Sequence, residues 1–198
     1  MTDLAENRGF RRTVLLVALL NLGYFAVEFV VARLIGSVSL FADSVDFLED
    51  ASVNLLIFVA VAWSARARSY VGSALALVIL VPAVAAMWTA VVKIANPQPP
   101  EVLPLTVTAL GALAVNLTCA ILLSRHRARR GSLARAAWLS ARNDAFANVA
   151  IVIAALLTLL LSSGWPDIVV GIGIGILNLG AAREVWLAAR EERVTPQP

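Results

Sequence analysis

The sequence has little of the chemistry that soluble enzymes use. Its 198 residues include one cysteine and one histidine, and only 15% are charged. A lone cysteine, Cys119, excludes an intramolecular disulfide and a CxxC metal site, and a lone histidine, His126, excludes an HExxH zinc protease. Soluble domains have about 25% charged and about 45–50% apolar residues, whereas here 60% are apolar and the mean hydropathy is +0.84. The composition therefore excludes a soluble enzyme and a nucleic-acid-binding domain.

Apolar runs make up most of the chain. Crossing a bilayer core of about 30 Å takes about 20 helical residues. Six stretches reach that length, at residues 12–32, 37–64, 70–92, 103–123, 136–161 and 168–188. We predict an all-α, polytopic membrane protein of six transmembrane helices. Residues 1–11 would form an N-terminal segment, residues 12–189 the transmembrane domain, and residues 190–198 a short tail.

Basic residues are concentrated in alternate connections. Arginines precede the first span, join the second to the third and the fourth to the fifth, and follow the sixth, whereas the opposite connections hold only Arg33 and Lys93. By the positive-inside rule, both termini should face the cytoplasm. The net charge of +3 then reflects topology and contact with anionic lipid headgroups rather than a nucleic-acid partner. We expect an integral protein of a bacterial inner (plasma) membrane.

Acidic residues occur inside the apolar spans, where an ionised side chain costs about 2.5–3.5 kcal/mol at the bilayer centre. They are Glu28, Asp43, Asp46, Glu49, Asp50 and Asp144. Such groups normally face the interior of a bundle and serve a transport pathway. For Glu28 and Asp43, near span ends, capping or snorkelling is an alternative, whereas Asp50 and Asp144 lie near the middle of their helices.

Polar side chains form one stripe on the second predicted helix and one on the fifth, since helical residues advance 100° per position. The first stripe comprises Asp43, Asp46, Asp50 and Asn54, and the second comprises Ser140, Asp144 and Asn148. Glu49 lies off the first stripe. At 1.5 Å per residue, Asp50 is about 20 Å from the outer face and Asp144 about 12 Å from the inner face, which is a similar depth. We expect the two stripes to meet.

Carboxylates that converge with amide and hydroxyl oxygens can replace the hydration shell of a divalent cation. Oxygen donors without histidine or cysteine favour Mn²⁺, Mg²⁺ or Fe²⁺ over zinc. Crowded carboxylates can also hold protons when the metal leaves. The pattern thus favours exchange of a divalent cation for protons, with no prosthetic group.

Three segments resemble the cation diffusion facilitator family. They are residues 36–50 (GSVSLFADSVDFLED), 143–149 (NDAFANV) and 165–171 (WPDIVVG). The resemblance covers all six spans in order and implies a metal–proton antiporter that exports divalent transition metals, Mn²⁺, Fe²⁺, Co²⁺ or Zn²⁺, as a homodimer. The family's ligand pairs on the second and fifth helices correspond here to Asp46 with Asp50 and to Ser140 with Asp144.

Two departures from the family pattern follow from this resemblance. Ser140 stands where relatives have a stronger ligand, so the fourth ligand is Ser140, Asn148, Asn143, water or no group. Asp43 is a further candidate ligand, and Glu28 a candidate proton relay. A cytoplasmic domain of about eighty residues, usual after the sixth span, is not present, so the chain looks like a membrane-only member.

The spans themselves would then have to hold the expected homodimer. Gly171 and Gly175, spaced four apart in the sixth span, are a candidate helix-packing face. Packing of these glycines against the chain's own third span is the alternative.

Other interpretations stay open at this point. An intramembrane aspartyl protease would need a Gly-x-Gly-Asp motif, which is missing. A non-catalytic membrane subunit would use Asp–Arg pairs for assembly, and an organic-cation/proton antiporter would use an aromatic cage. Arg142 lies about 200° around its helix from Asp144, so it should point away from the polar stripe. His126, surrounded by arginines, is a poor cation ligand.

Overall fold

The computed structural model describes residues 2–60, 65–124 and 131–194. They form six helices, and no strand occurs among these residues. The helices are α1 (Thr2–Ile35), α2 (Val38–Ala60), α3 (Ala65–Ala95), α4 (Val102–Ser124), α5 (Gly131–Leu161) and α6 (Trp165–Val194). The predicted all-α fold with six helices is confirmed. The expectations for His126 and the neighbouring arginine loop at 125–130 lie outside the described residues.

The helices extend beyond the predicted apolar spans at both ends of the chain. α1 begins at Thr2 rather than near residue 12, and α6 runs to Val194 rather than ending near residue 188. Arginine, glutamate and alanine are good helix formers, so polar flanking residues continue a helix after hydropathy has fallen. Hydropathy therefore marks the apolar part of each helix and not its termini.

Five helices are long and apolar enough to cross a membrane, and α2 is the exception. The five apolar segments are Gly9–Ile35, Tyr70–Ala95, Val102–Ser124, Trp138–Leu161 and Trp165–Leu187. α2 has four carboxylates within eight residues. It instead packs against α1, α3, α5 and α6, and Leu40, Phe41 and Val45 on it are buried. The acidic residues of α2 thus lie on a helix that packs against four of the other five helices.

Large apolar side chains face both inward and outward, as expected in a lipid bilayer. Leu40, Leu105 and Ile151 are fully buried in one core between α2, α4 and α5. Leu103 and Leu160 are more than 70% exposed on the outer surface. Outward-facing leucines of this kind give the bundle a surface suited to lipid.

A cluster of hydrogen bonds joins the start of α6 to the start of α2. The buried Asp167 carboxylate accepts hydrogen bonds from the hydroxyls of Ser37 and Ser39, each at 2.6 Å. It also accepts the backbone N–H groups of Val38 and Ser39, at 2.9 and 3.1 Å. Lys93, at the end of α3, forms an ion pair with it at 3.2 Å. We call these five residues the clamp. It caps α2, because a helix N-terminus has unpaired N–H groups that attract a carboxylate.

Two glycines of α6 pack inside the chain. A Cβ atom on Gly171 would lie 2.7 Å from the backbone carbon of Val38, and one on Gly175 would lie 2.6 Å from the sulfur of Met87 on α3. Helices approach this closely only where the side chain is missing. Both glycines therefore pack within the chain, Gly175 against the third span as the alternative expects and Gly171 against α2 instead, which leaves them unsuited to a face between two copies. The homodimer stays a prediction.

Candidate metal centre

Three helices, α2, α5 and α6, enclose a cavity of about 520 Å³. Its polar lining consists of Asp46, Glu49, Asp50, Ser140, Asn143, Asp144, Asn178 and Glu184. Five of these eight side chains are acidic. No basic side chain occurs among the described residues that line the cavity. The stripes of the second and fifth predicted helices therefore meet, as expected from their depths.

Asp50 is a carboxylate of the cavity with hydrogen-bond contacts to three other residues. It is 9% exposed. The Ser140 hydroxyl donates to its Oδ1 at 3.0 Å, and the Asn21 amide makes a longer contact of 3.5 Å with its Oδ2. One turn further along α2, the Asn54 amide donates to the Asp50 backbone carbonyl at 2.8 Å. These contacts come from α1, α2 and α5, so Asp50 is held where three helices meet.

The carboxylates surround the cavity without converging on one point. Among residues 2–60, 65–124 and 131–194, no three acidic, histidine or cysteine side chains are close enough together to hold a metal ion by themselves. Asp46, Asp50 and Asp144 share the lining with Ser140, which gives carboxylate and hydroxyl oxygens on facing helices. A cation in this cavity would need further oxygen ligands, which the neutral side chains or water can supply.

Two of the predicted candidates, Asn148 and Asp43, contact each other away from the cavity lining. The Asn148 amide donates to Asp43 Oδ2 at 2.6 Å, and the Asn116 amide contacts Asn148 Oδ1 at 3.4 Å. Glu28 is fully buried with its carboxyl group against that of Asp43, and neither of its oxygens accepts a hydrogen bond from an N–H or hydroxyl group in the described part of the chain. Of the three side-chain candidates for a fourth ligand, Ser140 and Asn143 line the cavity and Asn148 does not.

Arg142 points away from the cavity, as the helical spacing predicts. Its side chain is exposed, its guanidinium lies 5.3 Å from the ring centre of Trp138, and it donates to Asn143 Oδ1 at 3.3 Å. It forms no ion pair with Glu49 in the region that the structure describes. The strongest base of α5 therefore does not neutralise the cavity acids.

Sequence reasoning missed three residues of the lining. Glu49 was placed off the polar stripe of α2, but the cavity is wide enough to include it. Glu184 lies within the sixth predicted span, so its charge in an apolar run was a signal of the same kind as Asp144. Asn178 also interrupts that run. A search for polar residues in the sixth span would have found both, because intramembrane polar groups normally face a bundle interior.

Comparison with protein families identifies the fold. The sequence model of the cation efflux transmembrane domain matches residues 14–190. The chain belongs to the cation efflux family. The match covers all six helices and confirms the resemblance drawn from the three motifs. A comparison with curated protein sequences gave no match. Cation efflux proteins are transporters rather than enzymes, so the chain is a membrane cation transporter and the acidic cavity lies within its transport domain.

Proposed function

We propose that the protein exports a divalent transition-metal cation in exchange for protons, with Asp46, Asp50 and Asp144 as ligands. The observation that carries this proposal is the acidic cavity between α2, α5 and α6. Charges this deep in a membrane protein are costly unless a cation or proton compensates them. The described lining provides no basic residue for that purpose.

Oxygen chemistry suggests which cations suit the cavity. Three carboxylates with hydroxyl, amide and water oxygens match the preferences of Mn²⁺ and Fe²⁺, and Mn²⁺ resembles Mg²⁺ in accepting water as part of its shell. Ser140 lines the cavity and is the nearest neutral oxygen donor to Asp50. Family membership keeps Co²⁺ and Zn²⁺ as further candidates.

Proton exchange follows from the crowding of the acids. Two like unit charges about 4 Å apart repel each other by about 4 kcal/mol at an effective dielectric constant of 20. A divalent cation removes this repulsion when it binds, and protons remove it when the cation leaves. Glu28, buried beside the cavity helices without an N–H or hydroxyl donor among described residues, is the candidate relay for these protons.

The closed and open ends of the bundle suggest an orientation. The clamp seals the ends of α2, α3 and α6, whereas the cavity begins at Asp46, about 12 Å further along α2 at 1.5 Å per residue. Arginines predominate in the connections at the opposite end. We propose that this end, with both termini, faces the cytoplasm of a bacterial inner membrane, so that the cation is loaded from the cytoplasm.

Two other functions have less support. Assembly through Asp–Arg pairs would need such pairs in the membrane, but the ion pair found among described residues is Lys93–Asp167 in the clamp. An organic cation would need aromatic side chains around it, and none belongs to the described cavity lining.

Metal flux in proteoliposomes under an imposed pH gradient tests the proposal. Mn²⁺, Fe²⁺, Co²⁺, Zn²⁺ and Cd²⁺ would be supplied singly, and a pH-sensitive dye would follow protons. We expect saturable flux for at least one metal, accompanied by proton movement in the opposite direction. Metal flux without proton movement would overturn the exchange mechanism. The lack of flux for every metal, with folded protein, would overturn the transport proposal.

A further inference from the structure

Asn178 brings a third helix to the cavity. It lies on α6, is 1% exposed, and borders the same cavity as Asp46, Asp50 and Asp144. At 1.5 Å per residue it is about 17 Å along α6 from Asp167 in the clamp. It is thus a polar side chain deep in an otherwise apolar helix, at the level of the acidic residues.

The nitrogen of the Asn178 amide has a hydrogen-bond partner, whereas its oxygen has none among the described residues. Its Nδ2 donates to the backbone carbonyl of Ala42 on α2 at 2.8 Å. The reverse orientation would place Oδ1 against a carbonyl oxygen, where neither atom could donate, so this contact sets the direction of the amide. Oδ1 has no hydrogen-bond partner in the described structure.

A buried amide oxygen without a donor is unfavourable and calls for a partner. The cavity that Asn178 borders offers acidic residues, which are acceptors when ionised and give no donor to an oxygen. A cation is the partner that suits both the acids and the amide oxygen, because Asn carbonyl oxygens are ordinary ligands of hard divalent ions.

We propose that Asn178 supplies a neutral oxygen ligand from α6 to the transported cation, so that three helices rather than two build the site. This inference rests on the proposed function and refines it. Asn178 is also bonded to α2 at Ala42, one turn before Asp46. Binding of the cation would therefore strengthen the contact between α2 and α6 at the level of the cavity.

Asn116 provides a matched control on α4. Like Asn178 it is a buried amide within a long apolar helix, but it does not line the cavity, and its Nδ2 contacts Asn148 Oδ1 at 3.4 Å. An alanine here removes the same amide group from the interior of the bundle, without removing a side chain that borders the cavity.

The test is equilibrium binding of Mn²⁺, Co²⁺, Zn²⁺ and Cd²⁺ to the purified full chain, measured by calorimetry for the wild type, Asn178→Ala, Asn178→His and Asn116→Ala. We expect Asn178→Ala to weaken Mn²⁺ binding by about 10-fold or more, and Asn116→Ala to change it less than about 3-fold. Asn178→His should shift the Zn²⁺/Mn²⁺ affinity ratio towards zinc by about 10-fold, because imidazole suits zinc. A purely structural role would change all metals equally.

The experiment distinguishes failure of the Asn178 inference from failure of the proposed function. Wild-type protein that binds metal, with unchanged affinity and selectivity in both Asn178 variants, overturns this inference and leaves the proposed function intact. Wild-type protein that neither binds nor transports any metal overturns the proposed function itself. If neither variant folds, a Mn²⁺-soaked crystal of the wild type decides. The inference expects a distance of about 2.0–2.6 Å from the ion to Asn178 Oδ1, and the ion lying outside coordination range overturns it.

Discussion

Asp167, which caps the start of α2, and Asp50, which lies on α2, are both buried carboxylates, but their surroundings differ. Asp167 accepts two hydroxyl and two backbone hydrogen bonds and is paired with Lys93. Asp50 has a serine hydroxyl and a long amide contact, and it shares a cavity with other acids. One carboxylate is fully compensated by partners within the chain, whereas the other, under the proposed function, is compensated by a cation from outside.

The difference shows how one chemical group serves two purposes in one bundle. A carboxylate whose charge is fully compensated stabilises the fold and fixes the ends of helices. A group of acids with no basic partner costs stability and is retained for binding. Substitutions in the two regions should therefore have different effects. Those at the clamp should lower stability, and those at the cavity should lower transport.

The largest expected effect is on transport, in the double variant Asp50→Asn/Asp144→Asn. It should lower metal flux in proteoliposomes more than about 100-fold, because it removes the charge that compensates the cation. The fold should be kept, since neutral amides relieve the repulsion between acids. Glu101→Gln, at an exposed acid outside the cavity, is the matched control. Flux that survives in the double variant would show that these two carboxylates do not carry the transported cation.

At the clamp, Asp167→Ala should lower the free energy of unfolding by about 3–5 kcal/mol, because it leaves a partly buried lysine and the α2 N–H groups without a partner. Thermal unfolding in detergent measures the change. Metal affinity of the molecules that remain folded should be close to that of the wild type. Loss of binding with unchanged stability would mean that the two regions had been assigned the wrong roles.

Metal itself should stabilise the protein through the cavity. At a Mn²⁺ concentration of about 100 times the dissociation constant, linkage predicts about 2.7 kcal/mol of added stability. A thermal-shift titration, reversed with a chelator, detects this. The Asp50→Asn/Asp144→Asn protein should show no shift, whereas Glu101→Gln should respond like the wild type. An equal shift in all three proteins would place the stabilising metal elsewhere.

The smallest effect concerns the packing beside the clamp. Gly171→Ala should destabilise the protein by about 1–3 kcal/mol, since the new Cβ would collide with the backbone of Val38 and Ser39. Gly173→Ala, two residues along α6 with no atom within 4 Å of a Cβ, should be neutral or slightly stabilising, by up to about 1 kcal/mol. Chemical denaturation compares the two. Similar results at both positions would argue against close packing of α2 on α6.

Local sequence patterns predict the helices and much of the cavity. The apolar runs give six helices, and the spacing of Asp46, Asp50 and Asp144 gives two stripes at equal depth, because helical periodicity is a short-range property. The 100° advance per helical residue also correctly predicts that Arg142 faces away from the cavity. Helix ends are less well predicted, since Thr2 and Val194 lie in polar flanks that hydropathy does not identify.

Contacts between distant helices are beyond what one sequence shows. That Asp167 caps α2, and that Asn178 reaches the cavity from α6, depend on how α6 packs against α2. Gly171 could serve an interface between copies or a close approach within the chain, and only the packing decides. Glu49 lies off the polar stripe of α2 and still lines the cavity, because helical spacing describes one helix while the cavity lies between three.

The central claim is that the transported cation binds in the acidic cavity and not at the clamp. Anomalous diffraction from crystals grown with Mn²⁺ tests it most directly, because the ion's position is then observed without any substitution. The account predicts one peak bounded by Asp46, Asp50 and Asp144. A peak beside Asp167, or no peak in the cavity at a saturating Mn²⁺ concentration that supports transport, would contradict it.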